Sequence, residues 1–215
     1  DWAKVQKAAH THYGLAQDVQ EIPIAKRYLF EELKTIPQEW RRDLLSLFVG
    51  SHDPKAQLYC NQFMPTKVFN LSITNPETID LTHSRMTEWF HETGGAWKRE
   101  YMPRTVMVFL NDDADKTEEE RNVAANALAE KSLGAYWTAL QGTLDPSKVK
   151  KAASNALIGS PSVIAKTIVE RYHPNDKLML WFDFFNHDSE FVCGMMESFM
   201  EKVVPAVEEI LGQGE

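Results

Sequence analysis

The sequence predicts an α/β fold with parallel strands, and three observations carry that expectation. Three short segments rich in β-formers, Lys67–Ile73, Arg104–Leu110 and Lys177–Phe185, alternate with longer segments of helical periodicity. The last of them, KLMLWFDFF, is nearly continuously apolar, as expected for a strand covered on both faces. Helix-start signals stand between and beyond the strands, at Asn75-Pro76, Thr117 and Ser160-Pro161. Strands alternating with helices need crossover connections, hence parallel pairing. The first 66 residues carry only helical signals, which divides the chain into a helical segment, 1–66, and an α/β region, 67–215.

In chain order, Trp2, Val5, Ala8 and Ala9 have helical spacing, with Gly14 as a stop. A second helix is expected over about 24–33, with Tyr28, Leu29 and Leu33 on one side. Pro37 opens a third, whose stripe of Trp40, Leu44, Leu45, Leu47 and Phe48 ends near Gly50. Ser51-His52-Asp53-Pro54 reads as a turn. After the 67–73 strand, Asn75 caps a helix with Pro76 in its first turn, running to about Glu92 before Gly94-Gly95. After the 104–110 strand comes an acidic turn, then Thr117 and Glu120 at capping-box spacing. The Ala-rich helix behind them extends to about Leu140, and Asp145-Pro146 starts a short one. Ser160-Pro161 opens a helix with Val163, Ile164, Thr167, Ile168 and Tyr172 in register, and Pro174-Asn175-Asp176 turns the chain into the last strand. Asp188 or Ser189 caps the final helix, striped by Val192, Met195, Met196, Phe199, Val203, Val207 and Ile210.

Composition narrows the function classes. The 215 residues are 43% hydrophobic and 25% charged, enough for a sizeable core. A net charge of −8 argues against nucleic acid or an anionic membrane as a general partner, since phosphate binding needs clustered Lys and Arg. No apolar run reaches the length of a transmembrane helix. The start, Asp1-Trp2, has neither a basic nor an apolar leader region, so a cytoplasmic location is expected. It also lacks Met, as a fragment or processed form would. Cys60 and Cys193 read most simply as two reduced thiols, with one disulfide also compatible. There is no G-x-S-x-G, P-loop, G-x-G-x-x-G or zinc spacing.

Four stretches resemble the luciferase-like flavin-dependent monooxygenases. Leu157-Ile158-Gly159-Ser160-Pro161 looks like that family's "GSPE-x-V" entry into a helix. Leu178–Phe185, Asn186–Ser189 and Met195–Pro205 look like its final strand, loop and helix. Asn75-Pro76-Glu77-Thr78 is similar to its "S-P-E-T" step, and the strand at 104–110 with Asp112-Asp113-Ala114-Asp115 resembles "v-F-V-A-D-T-D". The resemblance covers about residues 67–211 and implies a (β/α)8 TIM-barrel-like fold, complete or partial, with its site at the C-terminal ends of the strands. It further implies reduced FMN or a related flavin as cofactor, O2 as co-substrate and a small organic substrate, and it makes a homo- or hetero-oligomer an expectation. A non-catalytic partial-barrel homologue or partner subunit is the alternative.

The loops after the strands supply the candidate flavin-binding residues. Ser72, Thr74 and Asn75 stand where a strand meets a helix N-terminus, whose N–H groups and partial positive charge suit a phosphate. The competing role for Asn75 is simple capping, since every helix start needs partners. Gly159 and Ser160 present the same choice. Asp183 sits inside an apolar strand and needs a partner; Arg104 or Lys177 would satisfy it structurally. Asn186 and His187 follow it, and no catalytic residue is assigned. His10 and His12 face apart on a helix, and Asp80-x-x-His83 and Glu88-x-x-His91 share one helix, so none of them implies a metal. The aromatics Trp40/Phe48, Trp97/Tyr101 and Phe182/Phe184/Phe185 read as core, and the Met-rich final helix as adaptable packing or a protein contact.

Overall fold

The computed structural model describes residues 1–22, 31–32, 34, 38–39, 41–139, 146–182 and 187–213. The helix expected over 24–33 falls almost wholly outside them, as do Pro37, Trp40, Asp183, Phe184, Phe185 and Asn186. The chain forms two compact units, Asp1–Leu45 and Ser46–Glu215. In the first, α1 (Trp2–Tyr13) ends at Gly14, whose φ of 65° gives the left-handed turn that returns its N–H to His10 O.

The second unit starts with β1 (Leu47–Val49), α2 (Pro54–Asn61), β2 (Thr66–Val68) and α3 (Pro76–Trp89). It continues with β3 (Arg104–Leu110), α4 (Glu118–Ala139), α5 (Pro146–Asn155) and β4 (Leu157–Gly159). It ends with α6 (Pro161–Arg171), β5 (Leu178–Trp181), α7 (Ser189–Ser198), a π-helical turn over Phe199–Val203 and α8 (Val204–Gly212). The start signals work locally as their chemistry predicts. Thr117 and Glu120 form a reciprocal capping box, Glu120 Oε2 accepting from Thr117 N at 2.8 Å and Thr117 Oγ1 from Glu120 N at 3.3 Å. Ser160 caps α6 and Asp188 caps α7 through their side-chain oxygens. The π turn directly precedes Pro205, which lacks the N–H an α-helix would use and whose ring crowds the preceding turn.

Parallel strands stand at all three expected places, and two more were missed. β1 lies in the stretch read as the third helix: Leu47 and Phe48 belong to a strand paired with β2 through Leu47↔Thr66 and Val49↔Val68. Pairing overrides a local apolar pattern that suits either structure. The sequence marks β4 only as the entry to a helix, since three residues carry no periodicity of their own.

The larger sheet has the order β4-β3-β5, with all seven residues of β3 buried. β3 pairs with β5 over Arg104–Met107 and with β4 over Val108–Leu110, and Asn70 bridges to Arg104. The connection from β3 to β4 therefore runs one way and the return from β4 to β5 runs back across β3. Right-handed crossovers of opposite direction lie on opposite faces. The core follows: Val106, Val108 and Leu110 pack against α6 and the final helix, while Met107 and Phe109 pack against Ala129 and Leu133 of α4 and Ala152 of α5. The (β/α)8 expectation thus holds at the level of a mixed α/β chain with parallel strands. Among the described residues no barrel closes, because a barrel carries its helices on one face only and this sheet is covered on both.

Candidate functional site

The loop leaving β2 contains three of the candidate residues. Leu71–Thr74 makes a turn closed by Thr74 N donating to Leu71 O at 2.9 Å. The Asn155 amide at the end of α5 fixes it from the other side, donating to Ser72 O at 2.7 Å and Thr74 O at 3.4 Å. The buried Tyr172 hydroxyl in turn donates to Asn155 O at 3.2 Å. Thr74 is buried, and its hydroxyl meets His52 Nε2 at 3.5 Å, while His52 Nδ1 meets Thr82 Oγ1 at 3.3 Å. Burial, followed by the charge of Arg85, holds the His52 imidazole below its usual pKa, which keeps the ring neutral in this chain of polar groups.

Asn75 occupies the N-cap of α3 with extended backbone but forms no side-chain cap. Its Oδ1 instead accepts from the Thr78 hydroxyl at 2.5 Å. The first turn of α3 therefore keeps backbone N–H groups without a side-chain partner, beside the hydroxyl of Thr78. Such a terminus can accept an anion. A pocket of about 240 Å³ adjoins the loop, lined by Leu71, Ser72 and Ile73, by Thr105 and Met107 from the sheet, and by Tyr136 and Trp181. Its lining is mostly apolar with few polar groups, and its volume lies just below the ~300–1,000 Å³ usual for ligand sites.

Gly159 and Ser160 sit elsewhere. Gly159 pairs with Leu110 at one end of β3, whereas Asn70 pairs with Arg104 at the other. The Ser72–Thr74 loop is held by Asn155, four residues before Gly159, so at about 3.3 Å per residue the two sets stand about 13 Å apart along the strand and do not touch. Gly159 has φ 143°, and a Cβ there would stand 2.8 Å from Asn122 Oδ1, which accepts from Ser160 N at 2.7 Å. The Ser160 hydroxyl caps Val163 N at 3.4 Å and meets Ser162 Oγ at 3.0 Å. The Ser162 hydroxyl donates to Glu118 Oε1 at 2.9 Å, placing a carboxylate at the start of α6.

Asp183 and Asn186 lie outside the described residues, and His187 is exposed with φ 59°. Arg104, expected as a partner for Asp183, pairs with Asp176 at 3.7 Å. Asn122, Asn155 and His52 were missed by the sequence reading. Asn122 and Asn155 are ordinary helix residues locally, and only the loops they reach across 38 and 83 positions give them a role. Cys60 and Cys193 are free thiols. Among the described residues no three His, Cys, Asp or Glu side chains are grouped to hold a metal ion, and no helix is long and apolar enough to cross a membrane.

No protein-family model matches this sequence, and no curated protein matches it. Solved structures do. Monooxygenase RslO1 from Streptomyces bottropensis aligns with a TM-score of 0.51 and 19% identity over 79% of this chain and 50% of that one. The oxygenating constituent of 3,6-diketocamphane monooxygenase, a type II Baeyer-Villiger monooxygenase from the CAM plasmid of Pseudomonas putida solved in complex with FMN, aligns with a TM-score of 0.44 and 15% identity over 74% and 47%. The chain spans about half the length of these structures. At this identity the first shows a shared α/β fold, and the second is too distant to add to it.

Proposed function

We propose that this chain is a flavin-dependent monooxygenase of luciferase-like type, binding reduced FMN with O2 as co-substrate and oxidising a small organic molecule. One observation carries the reading. The loop that resembles the family's "S-P-E-T" step stands at a helix N-terminus without a side-chain cap, next to an apolar pocket lined by Ser72. The fold shared with monooxygenase RslO1 supports it.

The residues fit the group in part. Thr74, Asn75 and the first turn of α3 would hold a phosphate through backbone N–H and hydroxyl donors, with the helix dipole favouring the anion. Leu71, Ile73 and Met107 would meet one face of a flat ring system. A pocket of about 240 Å³ does not enclose a whole flavin mononucleotide. When bound, the flavin supplies the redox chemistry, and the protein's share is placement and exclusion of water. His52 would hold the Thr74 hydroxyl in a fixed orientation.

The half-length match to RslO1 and the unclosed barrel favour a second reading, in which the chain is a non-catalytic homologue or a partner subunit. Anaerobic titration with reduced FMN, read by absorbance and fluorescence, separates the two. Saturable binding weakened at least tenfold in a Thr74→Val, Asn75→Ala double variant is the expected result. The absence of any binding by the 215-residue chain would sink the first reading.

A further inference from the structure

A cavity of about 900 Å³ opens beside the N-termini of β3 and β5, separate from the Leu71–Ile73 pocket. Its walls come from α3 (His83), the stretch before β3 (Trp97, Lys98, Arg99) and the turn before β5 (His173 to Lys177). We infer that this cavity is a binding site for a small multivalent oxyanion of metabolite size, phosphoryl or carboxylate.

Trp97 Nε1 donates to His83 Nδ1 at 3.0 Å. An indole N–H can only donate, so the neutral His83 ring carries its proton on Nε2. The backbone N of Asn175 donates to His173 Nδ1 at 3.1 Å, which fixes the same tautomer there. Both rings therefore present N–H donors at their remaining nitrogens. Lys98 and Lys177 add two exposed ammonium groups, and Lys177 has no ion pair among the described residues.

The acceptors of the same wall are already engaged. Asp176 Oδ1 takes the Arg99 Nε–H at 2.5 Å. Asp176 Oδ2 takes the His173 N–H at 3.3 Å and faces Arg104 at 3.7 Å. Glu100 pairs with Lys98 at 3.5 Å. Arg99 also holds Asp80 at 2.9 Å, so what is left over is the two imidazole N–H donors and the Lys177 ammonium, in a chain whose net charge is −8. A ligand that satisfies surplus donors brings acceptors and negative charge. The His83 pKa lies below its usual value: burial lowers it first, and the charges of Arg99 and His173 lower it further against the opposing charges of Asp80 and Asp176. The volume exceeds what a bare inorganic ion needs and lies within the ~300–1,000 Å³ typical of metabolite sites. The site is also preorganised, because the His173–Asp176 turn is closed by Asp176 N donating to His173 O at 2.8 Å and is anchored to Arg99.

The probes are pyrophosphate and citrate, titrated into the ¹⁵N-labelled chain while the Trp97 indole N–H resonance is followed, assigned through Trp97→Phe. Saturable displacement of that resonance by at least one of the two, weakened tenfold or more in a Lys98→Ala, Lys177→Ala double variant, is the expected result. Which probe binds tells phosphoryl from carboxylate chemistry. Both lysines are exposed, so the core resonances of the variant should stay in place and report that it is folded. Three outcomes overturn the inference: no saturation by either probe at millimolar concentration, equal affinity in the double variant, or the same displacement from sodium chloride at matched ionic strength. Reduced FMN binding is read separately and does not enter this result.

Discussion

The two ends of β3 hold their charges differently. At the N-terminal end Arg99, Arg104 and Asp176 are almost fully withdrawn from water, their side chains 13%, 5% and 5% exposed. Arg104 has its pKa lowered, by burial first, with Tyr172 and Asp176 opposing. Its guanidinium lies over the Tyr172 ring at 4.7 Å. At the C-terminal end Asp112 is bound by Lys202 and by the Ser198 hydroxyl at 2.6 Å, but the Lys202 side chain is 51% exposed. The same pairing of carboxylate and cation should therefore act as a structural keystone at one end and as a marginal clip at the other. Solvent screens the exposed pair, while a buried charge that loses its partner has nothing to replace it.

The largest expected effect breaks the buried end. Asp176→Asn leaves the buried Arg104 guanidinium without its carboxylate and Arg99 with only the exposed Asp80 at 2.9 Å, and about 3–5 kcal/mol of stability should be lost. Urea unfolding followed by circular dichroism reads this directly, and a loss below about 1 kcal/mol would show that water reaches the cluster. A smaller effect is expected at the far end of the strand from Gly159→Ala. Its φ of 143° and the 2.8 Å approach to Asn122 Oδ1 should cost more than about 1 kcal/mol. A crystal structure of the variant should show Asn122 displaced from Ser160 N; an unshifted Asn122 with full stability would contradict the account.

The smallest effect sharpens the comparison. At Asp112 burial acts against ionisation, but hydrogen bonds from Lys202 and Ser198, with the charges of Lys202 and Arg121, outweigh it and hold the carboxyl below its ordinary value. A carboxylate lowered in the folded state stabilises above its unfolded pKa of about 3.9, and that contribution disappears as pH falls through the folded value. Asp112→Asn should therefore lower stability by at most about 1 kcal/mol at neutral pH and converge with the parent chain in acid. Parallel melting curves that stay offset in acid would place the effect in packing rather than charge.

Much of the local architecture was legible in the residues. The capping box at Thr117 and Glu120, the caps at Ser160 and Asp188 and the turn at Pro174–Asp176 need only neighbours within a few positions, and each appears in the structure. The strand at 104–110 was legible because all its residues are apolar or buried on both faces. β1 and β4 were not, because three residues gain strand character only from a partner. For the candidate flavin loop, residue types pointed to Ser72, Thr74 and Asn75, but Asn155 and His52, which fix that loop, come from distant elements. The His83 and His173 tautomers could not be read either, since their donors, Trp97 and the Asn175 backbone, matter only through geometry.

By itself the sequence determined where the helices after residue 75 start and that the strands are parallel, because propensity, capping and crossover length act over short stretches of chain. Only the tertiary structure decided the strand order β4-β3-β5. That order reverses the direction of the crossovers and puts helices on both faces of the sheet. Strand order is set by which edges meet during folding, and no local pattern of residues encodes it.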